Sequence, residues 1–405
     1  MTPPPVQRVA LSRRTALVVP YVLALLSMLG PFAVDMPFPA FASIQDEFRV
    51  DAAATQQLVS LYLLSFGVMS AFHGPLSDAI GRRRVMLGSL AVFALASLGC
   101  ALATSMPMLY AMRVLQGLSA GGSVIVSRTV VADLYDGPRA QRLMSQVMLI
   151  FGLAPAVAPI LGGFLMTVGS WRLVFWALVA LAVVMVGAVL WLPESLPVAQ
   201  RRPLRLGSLV SGLATVMRDP VFLRVALAGA FVFGSLFAYV STSAILMVDL
   251  LGKGETDFWM FFVPMIGGMT VGSLVAGRAA GRIPPDTLIT CAVTCGVVIA
   301  LGNLVLMLIP ATAQLPWAVV GPAVLAAVVM AGYPSTQLRV IQMFPTARGS
   351  ATSGATFLAL GLNALVAGAV APYVTGSLVG LAATSLVLSV FALVFWGWHL
   401  LEERR

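Results

Sequence analysis

Apolar runs of about 20 residues alternate with short polar breaks from residue 17 to residue 400. A helix rises about 1.5 Å per residue, so a run of this length crosses a hydrocarbon core of ~30 Å. The breaks place spans at about 17–41, 54–75, 84–105, 107–131, 143–168, 172–192, 221–249, 257–278, 286–310, 316–343, 349–375 and 377–400. Polar and apolar positions do not alternate within the runs, and backbone amides in lipid need partners inside their own segment. The runs are therefore helices and not the strands of a barrel. The expected fold is an all-α membrane protein of twelve transmembrane helices. Its longest polar stretch, Pro193 to Pro220, divides the chain into a tail (1–16), a six-helix bundle (17–192), a central loop (193–220), a second bundle (221–400) and a tail (401–405). Equal halves of like orientation predict a pseudo-symmetric, duplicated bundle. The sequence echo between them is slight: Gly81-Arg82 after the second span and Gly281-Arg282 after the eighth.

Composition agrees with lipid as the solvent. Of the residues, 60% are hydrophobic and 10% charged, against roughly a quarter charged in soluble domains. The net charge of +9 comes from basic residues set singly or in threes between spans, which is a topology signal and not a nucleic-acid stripe. One side collects Arg8, Arg13, Arg14, the run Arg82 to Arg84, Arg128, Arg139, Arg142, Arg201, Arg202, Arg205, Arg218, Arg224, Arg278, Arg282, Arg339, Arg348, Arg404 and Arg405. The other has Arg49, Arg172 and Lys253. An even number of spans with both termini in the cytoplasm follows, in a cell inner membrane. The first apolar run is too long for a signal peptide and reads as the first helix. Cys100, Cys291 and Cys295 fall inside spans and read as packing residues. Two scattered histidines, His73 and His399, sit at cytoplasmic span ends, where an interfacial position is expected. With no metal-ligand spacing and no glycine-rich nucleotide loop, neither enzyme chemistry, a cofactor nor ATP-driven work is expected.

Charges inside apolar runs are the informative exceptions. Asp35 lies in the first span within Gly30-Pro31-Phe32-Ala33-Val34-Asp35-Met36-Pro37. A low-dielectric setting favours its neutral form and a nearby arginine its charged form, which suits a proton carrier; the competing reading places it as a helix-end cap or in the outer interface. Arg113 lies in the fourth span, in Arg113-Val114-Leu115-Gln116-Gly117. It either faces the bundle interior or snorkels toward the outer interface. The loop after the second span reads Gly74-Pro75-Leu76-Ser77-Asp78-Ala79-Ile80-Gly81-Arg82-Arg83-Arg84, whose glycines permit a tight turn and whose charges can pair at helix ends. In the fifth span, Gly152, Pro155, Pro159, Gly162 and Gly163 predict a kinked, closely packed helix.

These motifs resemble the major facilitator superfamily. In that family the acid of the loop, here Asp78, docks on the start of helix eleven, and the first arginine, here Arg82, pairs with an acid at the end of helix four, a place Asp133 occupies; the pair acts as a conformational latch. The Arg-x-x-Gln-Gly motif lies beside the substrate cavity and assists proton movement, which implies that role for Arg113 and Gln116. A Gly-Pro-rich helix five marks proton-coupled exporters; here Ala154-Pro155 stands where Gly-Pro is usual. Together with Asp35 and the segment from Arg128 to Asp133, the motifs look like the bicyclomycin and chloramphenicol resistance branch, Bcr/CflA. Ser27 stands where some relatives carry a second acid, which points away from dications and from exchange of more than one proton.

The cavity is expected to draw on Tyr62, Gln146, Phe231, Phe237, Tyr239, Met265, Asn303, Gln337 and Asn363. Adaptable methionines and aromatics suit apolar cargo. The expected function is proton-coupled efflux of small, mostly apolar drugs. The alternative is a same-fold exporter or uniporter of a metabolite such as a sugar or amino acid. Expected partners are the drug, H+ and the bilayer, with no nucleic acid, in a monomer as is usual for the resembling family.

Overall fold

A computed structural model describes residues 13–135, 137–201, 206–254, 256–279, 282–344, 348–374 and 376–403. Its first span is broken twice. Helix α1 (Arg13–Ser27) stops at Met28, α2 (Leu29–Asp35) follows, and a 3-10 turn at Phe38–Ala40 leads into α3 (Phe41–Phe48). Pro37 and Pro39 lack the N–H that would continue the ladder of α2, so the second break is dictated locally. The first half continues with α4 (Ala52–Ile80), α5 (Arg82–Ala101), α6 (Met106–Leu134), α7 (Gly137–Val168) and α8 (Arg172–Leu190). Helix α9 (Leu206–Met217) lies in the central connection. The second half holds α10 (Pro220–Ser241) with a π-helical segment at Ile245–Leu250, α11 (Trp259–Ala279), α12 (Pro285–Leu308), α13 (Trp317–Met343), α14 (Arg348–Leu365), a π-helical segment at Val366–Val370, α15 (Ala371–Val374) and α16 (Leu378–Glu403). Side-chain caps start the helices that follow breaks. Asp51 accepts from the Ala54 amide at 2.9 Å, and Asp219 accepts from Val221 and Phe222 at 2.8 and 3.0 Å, with Pro220 in the first helical position.

Among the described residues eleven stretches are long and apolar enough to cross a membrane, and the 32-residue α7 adds the shorter apolar stretch Val157–Val168. The chain is thus a multi-pass, all-helical membrane protein. The first apolar helical stretch runs over Val18–Phe48, with Asp46 and Glu47 exposed in the last turn of α3. Glu47 is held there by Arg172 at 2.6 Å and by the Trp171 indole N–H at 2.7 Å. Asp35 lies near the middle of that stretch. The stretch 193–220 also contains α9, whose apolar Leu206, Leu209, Val210, Leu213 and Met217 recur at helical spacing.

Each half packs on itself. Helix α6 is flanked by α4 and α5, and α5 by α8; α10 lies on α13 and α16, while α12 lies on both α13 and α16. The halves meet along α4 with α14 and α7 with α11. Two hydrogen bonds tie α4 to the end of α14: Gln57 Nε2 donates to the Gly368 carbonyl at 2.6 Å and Ser60 Oγ to the Ala364 carbonyl at 2.7 Å. Both bonds lie at the end opposite the one carrying Gly81, Asp133 and Glu194, called here the arginine-rich end.

Candidate functional site

Two breaks and one motif converge inside the first half. Asp35 is the last residue of α2 and is 3% exposed. The carbonyl of the next residue, Met36, sits where a side chain at Gly162 of α7 would fall, so only glycine lets α7 approach the break this closely. Pro155, Pro159, Gly162 and Gly163 therefore belong to the helix that seats the Asp35 break. Gly152 lies in α7 as well, but its surroundings and the Gln146 side chain fall outside the described residues.

Arg113 is 1% exposed and faces the bundle interior, not the interface. Its Nε donates to the Leu58 carbonyl of α4 at 3.0 Å, and Nη1 donates to the Ala33 carbonyl of α2 at 2.8 Å and to Gln116 Oε1 at 2.9 Å. The guanidinium carbon lies 4.6 Å from the centre of the Tyr62 ring, within cation–π range. Every bonded acceptor is neutral. Arg113 thus reaches the short helix that carries Asp35 through Ala33, two residues away, while none of its hydrogen bonds ends on the Asp35 carboxylate. A carboxyl that accepts no bond from this buried, fixed cation can gain or lose a proton without breaking a hydrogen-bonded ion pair. Tyr62 is fully buried and its hydroxyl reaches the Gly30 carbonyl only at 3.5 Å. Gln116 is set by a chain on α5: its Nε2 donates to Ser97 Oγ at 2.8 Å, and Ser97 donates to the Phe93 carbonyl at 2.8 Å.

At the arginine-rich end, Gly81 takes φ +112°, a conformation open to glycine, and turns α4 into α5. Arg82 is thereby aimed back under the bundle. Its Nε meets Asp133 at 3.0 Å, its Nη1 meets Ser77 Oγ at 2.5 Å and also pairs with Asp78, and its amide donates to Glu194 at 2.9 Å. Ser195 Oγ donates to Asp133 at 3.0 Å. Asp78 is thus engaged by Arg82; residues 345–347, which lead into α14, lie outside the described residues. A Cβ on Gly74 would meet no neighbour within 4 Å.

The other expected cavity residues do not form one cluster with Arg113. Phe237 stacks on Phe233 at 6.4 Å, which in turn meets Tyr333 at 5.1 Å. The Tyr239 hydroxyl accepts from Asn303 Nδ2 of α12 at 2.6 Å. Phe231 is stacked between Phe391 and Phe395 of α16, and Gln337 Nε2 donates to the Tyr333 hydroxyl at 2.7 Å. Met265 is buried, and so is Asn363, whose Oδ1 meets no hydrogen-bond partner. Both histidines are buried in the helix packing: His73 is 2% and His399 1% exposed. His73 is drawn in by a bond from its ring to the Met69 carbonyl at 2.9 Å and by packing on Gly121 and Gly122; His399 lies against the Trp396 ring. Sequence reading missed Ser97, Glu194 and Ser195. It also missed a second charged cluster at the arginine-rich end, where Arg339 meets Asp286 at 3.4 Å and Glu403 at 2.5 Å, and Arg224 pairs with Glu402. The charges of that cluster are visible in the sequence; their pairing across α10, α12, α13 and α16 is not.

Comparison with known proteins places this geometry. The family model described as Major Facilitator Superfamily matches residues 23–368. The uncharacterized MFS-type transporter YdgK of Bacillus subtilis is 33% identical over 278 residues, 67% of this chain and 69% of that protein. A bicyclomycin resistance protein homolog of Haemophilus influenzae is 29% identical over 67% of this chain and 68% of its own, and multidrug resistance protein D of Escherichia coli 30% identical over 68% of each. Among solved structures, a bacterial homolog of the human lysosomal transporter Spinster superposes with a TM-score of 0.73 at 16% identity, covering 97% of this chain and 98% of that one.

Proposed function

The chain belongs to the Major Facilitator Superfamily, and from that premise we propose that it is a proton-coupled exporter of small, mostly apolar drugs. The names of its relatives, which include a bicyclomycin resistance protein homolog, multidrug resistance protein D and the chloramphenicol resistance protein CraA of Acinetobacter baumannii, support drug efflux of the Bcr/CflA type. On this reading α7 is the fifth of twelve spans, the arginine-rich end faces the cytoplasm with both termini, and the protein works as a monomer in the inner membrane. The duplicated halves alternate access to a site between them.

The observation that carries proton coupling is the pairing of a buried, uncommitted Asp35 with an Arg113 whose bonds all end on neutral acceptors. With Asp35 charged, the site is balanced and can accept a neutral drug from the cytoplasmic side. With Asp35 protonated, Arg113 is left as a net positive charge, which changes the relative stability of the two access states. Protonation on the outer side and release on the inner side then exchange one proton for cargo. On the same reading the loop motif with Asp78, Arg82 and Asp133 is the latch: Arg82 and Asp133 brace it within the first half, and Asp78 releases the start of α14 in the other half when the cytoplasmic side opens.

The test is uptake of labelled chloramphenicol into inverted vesicles driven by an imposed pH gradient. Uncoupler-sensitive accumulation that Asp35→Asn and Arg113→Ala abolish supports the reading. Gradient-driven accumulation that survives Asp35→Asn rejects Asp35 as the proton carrier, and no drug accumulation at all rejects drug export.

A further inference from the structure

We propose that Ser97 is a positioning residue for Arg113, acting through the Gln116 side-chain amide; this rests on the reading of Arg113 as part of the coupling site.

An amide side chain has two chemically opposite ends, and only one presentation to a guanidinium is favourable. Arg113 Nη1 can bond Gln116 only if Oε1 faces it; the reversed amide would set N–H against N–H. The structure holds the productive face from two points on α5, one turn apart. At the nitrogen end, Gln116 Nε2 donates to Ser97 Oγ at 2.8 Å. Ser97 is free to accept because its own proton is committed to the Phe93 carbonyl at 2.8 Å. At the oxygen end, Cys100 Sγ lies 3.7 Å from Gln116 Oε1, where the thiol can donate a weak bond to the oxygen that Arg113 uses. Ser97, Cys100 and Gln116 are all wholly buried, so no water stands ready to replace a lost partner.

The chain has a direction: Phe93 carbonyl, Ser97 hydroxyl, Gln116 amide, Arg113 guanidinium, Ala33 carbonyl, and so to the turn that ends in Asp35. Each group donates or accepts in only one sense once the Phe93 carbonyl is fixed at its head. Remove the Ser97 hydroxyl and Nε2 is a buried donor without an acceptor, a state that favours rotation of the amide or withdrawal of Gln116. Arg113 then loses one of its three bonded acceptors, and its charge is less firmly held beside the break. Serine at position 97 looks like ordinary helix packing in the sequence; the role follows from its place opposite the amide nitrogen.

The Cys100 thiol supplies a readout that does not depend on transport. In a background with the exposed Cys291 and Cys295 replaced by serine, the infrared S–H stretch reports Cys100 alone, with Cys100→Ala as the assignment control. Ser97→Ala is expected to raise that frequency, since a turned amide withdraws Oε1 from the thiol, and Ser97→Thr, which keeps the hydroxyl, is expected to restore it. In proteoliposomes, Ser97→Ala is expected to lower gradient-driven transport roughly tenfold and to shift its pH profile. Gln116→Ala is expected to mask the effect, so that the double variant transports like Gln116→Ala alone. An S–H band unmoved by Ser97→Ala, or additive losses in the double variant, would overturn the proposal. So would a moved band with an unchanged pH profile, provided Asp35→Asn abolishes coupling in the same preparation. If Asp35→Asn leaves coupling intact, the coupling site itself has been misplaced, and the band and the double variant still decide whether Ser97 orients Gln116.

Discussion

Arg113 separates two properties that arginine usually combines, charge and shape. None of its hydrogen bonds ends on a carboxylate; its planar fork satisfies three neutral acceptors on three segments, Leu58 of α4, Ala33 of α2 and Gln116 of α6. Lysine keeps the charge but cannot bridge those directions from one ammonium. Arg113→Lys is therefore expected to lose at least about tenfold in gradient-driven transport, the equivalent of one buried charged hydrogen bond of ~1.5 kcal/mol; transport within twofold of the parent would show that charge alone suffices. Tyr62 gives the converse case. Its ring face is used by Arg113 at 4.6 Å, whereas its hydroxyl makes only a marginal contact at 3.5 Å. Tyr62→Phe is expected to transport nearly as the parent does and Tyr62→Ala to be impaired, compared as initial rates at matched expression. Asp35 and Arg113 stood out in the sequence because a charge in an apolar run has to be accounted for. Ser97 did not, because a serine in a membrane helix usually bonds its own backbone, as Ser123 does to the Ala120 carbonyl. The partner of Tyr239 was hidden for a related reason: sequence shows a hydroxyl but not that Asn303 donates to it.

Among the elements, the first span and α7 work as one unit. Proline at 37 and 39 breaks the first span just beyond Asp35, and glycine at 162 lets α7 close over the exposed Met36 carbonyl. Gly162→Ala would drive a Cβ into that backbone oxygen, which cannot rotate away as a side chain could. The expected loss is about 1–3 kcal/mol, typical of an overpacked contact. It should appear as a lowered melting temperature in detergent together with reduced transport. Gly187→Ala in α8, where a Cβ would meet no neighbour within 4 Å, serves as the comparison, and equal effects at the two positions would remove the Met36 contact as the cause. Both halves of this unit were legible in the sequence as proline and glycine positions. Their meeting was not, since the residues lie more than a hundred positions apart and no local pattern encodes a contact between helices. The tie between the end of α3 and the start of α8 was hidden for the same reason: Glu47, on the exposed surface, meets Arg172 and Trp171 across more than 120 residues.

For the whole molecule, two kinds of polar contact stand out among the described residues, those within a half and those across the halves. At the arginine-rich end, Arg82 and Asp133 bind each other and the start of the central connection at Glu194 and Ser195, and Asp286, Arg339 and Glu403 bind within the second half. These are mirrored sets with the charges exchanged: a cation at the start of α5 meets an anion at the end of α6, and an anion at the start of α12 meets a cation at the end of α13. Each stiffens its own half. At the opposite end, Gln57 and Ser60 bind across the halves to the carbonyls of Gly368 and Ala364. Those acceptors flank and enter the π-helical segment Val366–Val370, where the widened turn disturbs the usual backbone pairing. The two cross-half bonds therefore stabilise only the state in which α4 and α14 are closed at that end, and nothing in either half needs them to stay folded. Replacing both donors with alanine should remove about 2 kcal/mol from the closed state and shift the ratio of the two access states by more than tenfold. Spin-label pairs placed across α4 and α14 at that end should report longer distances in the Gln57→Ala, Ser60→Ala variant, while the melting temperature stays close to the parent. The Arg82→Ala variant is expected to do the reverse, lowering the melting temperature because its half loses an internal tie. If the double alanine variant instead melts early with unchanged distances, the bonds serve folding, and closure of that end rests on the apolar packing of α4 against α14.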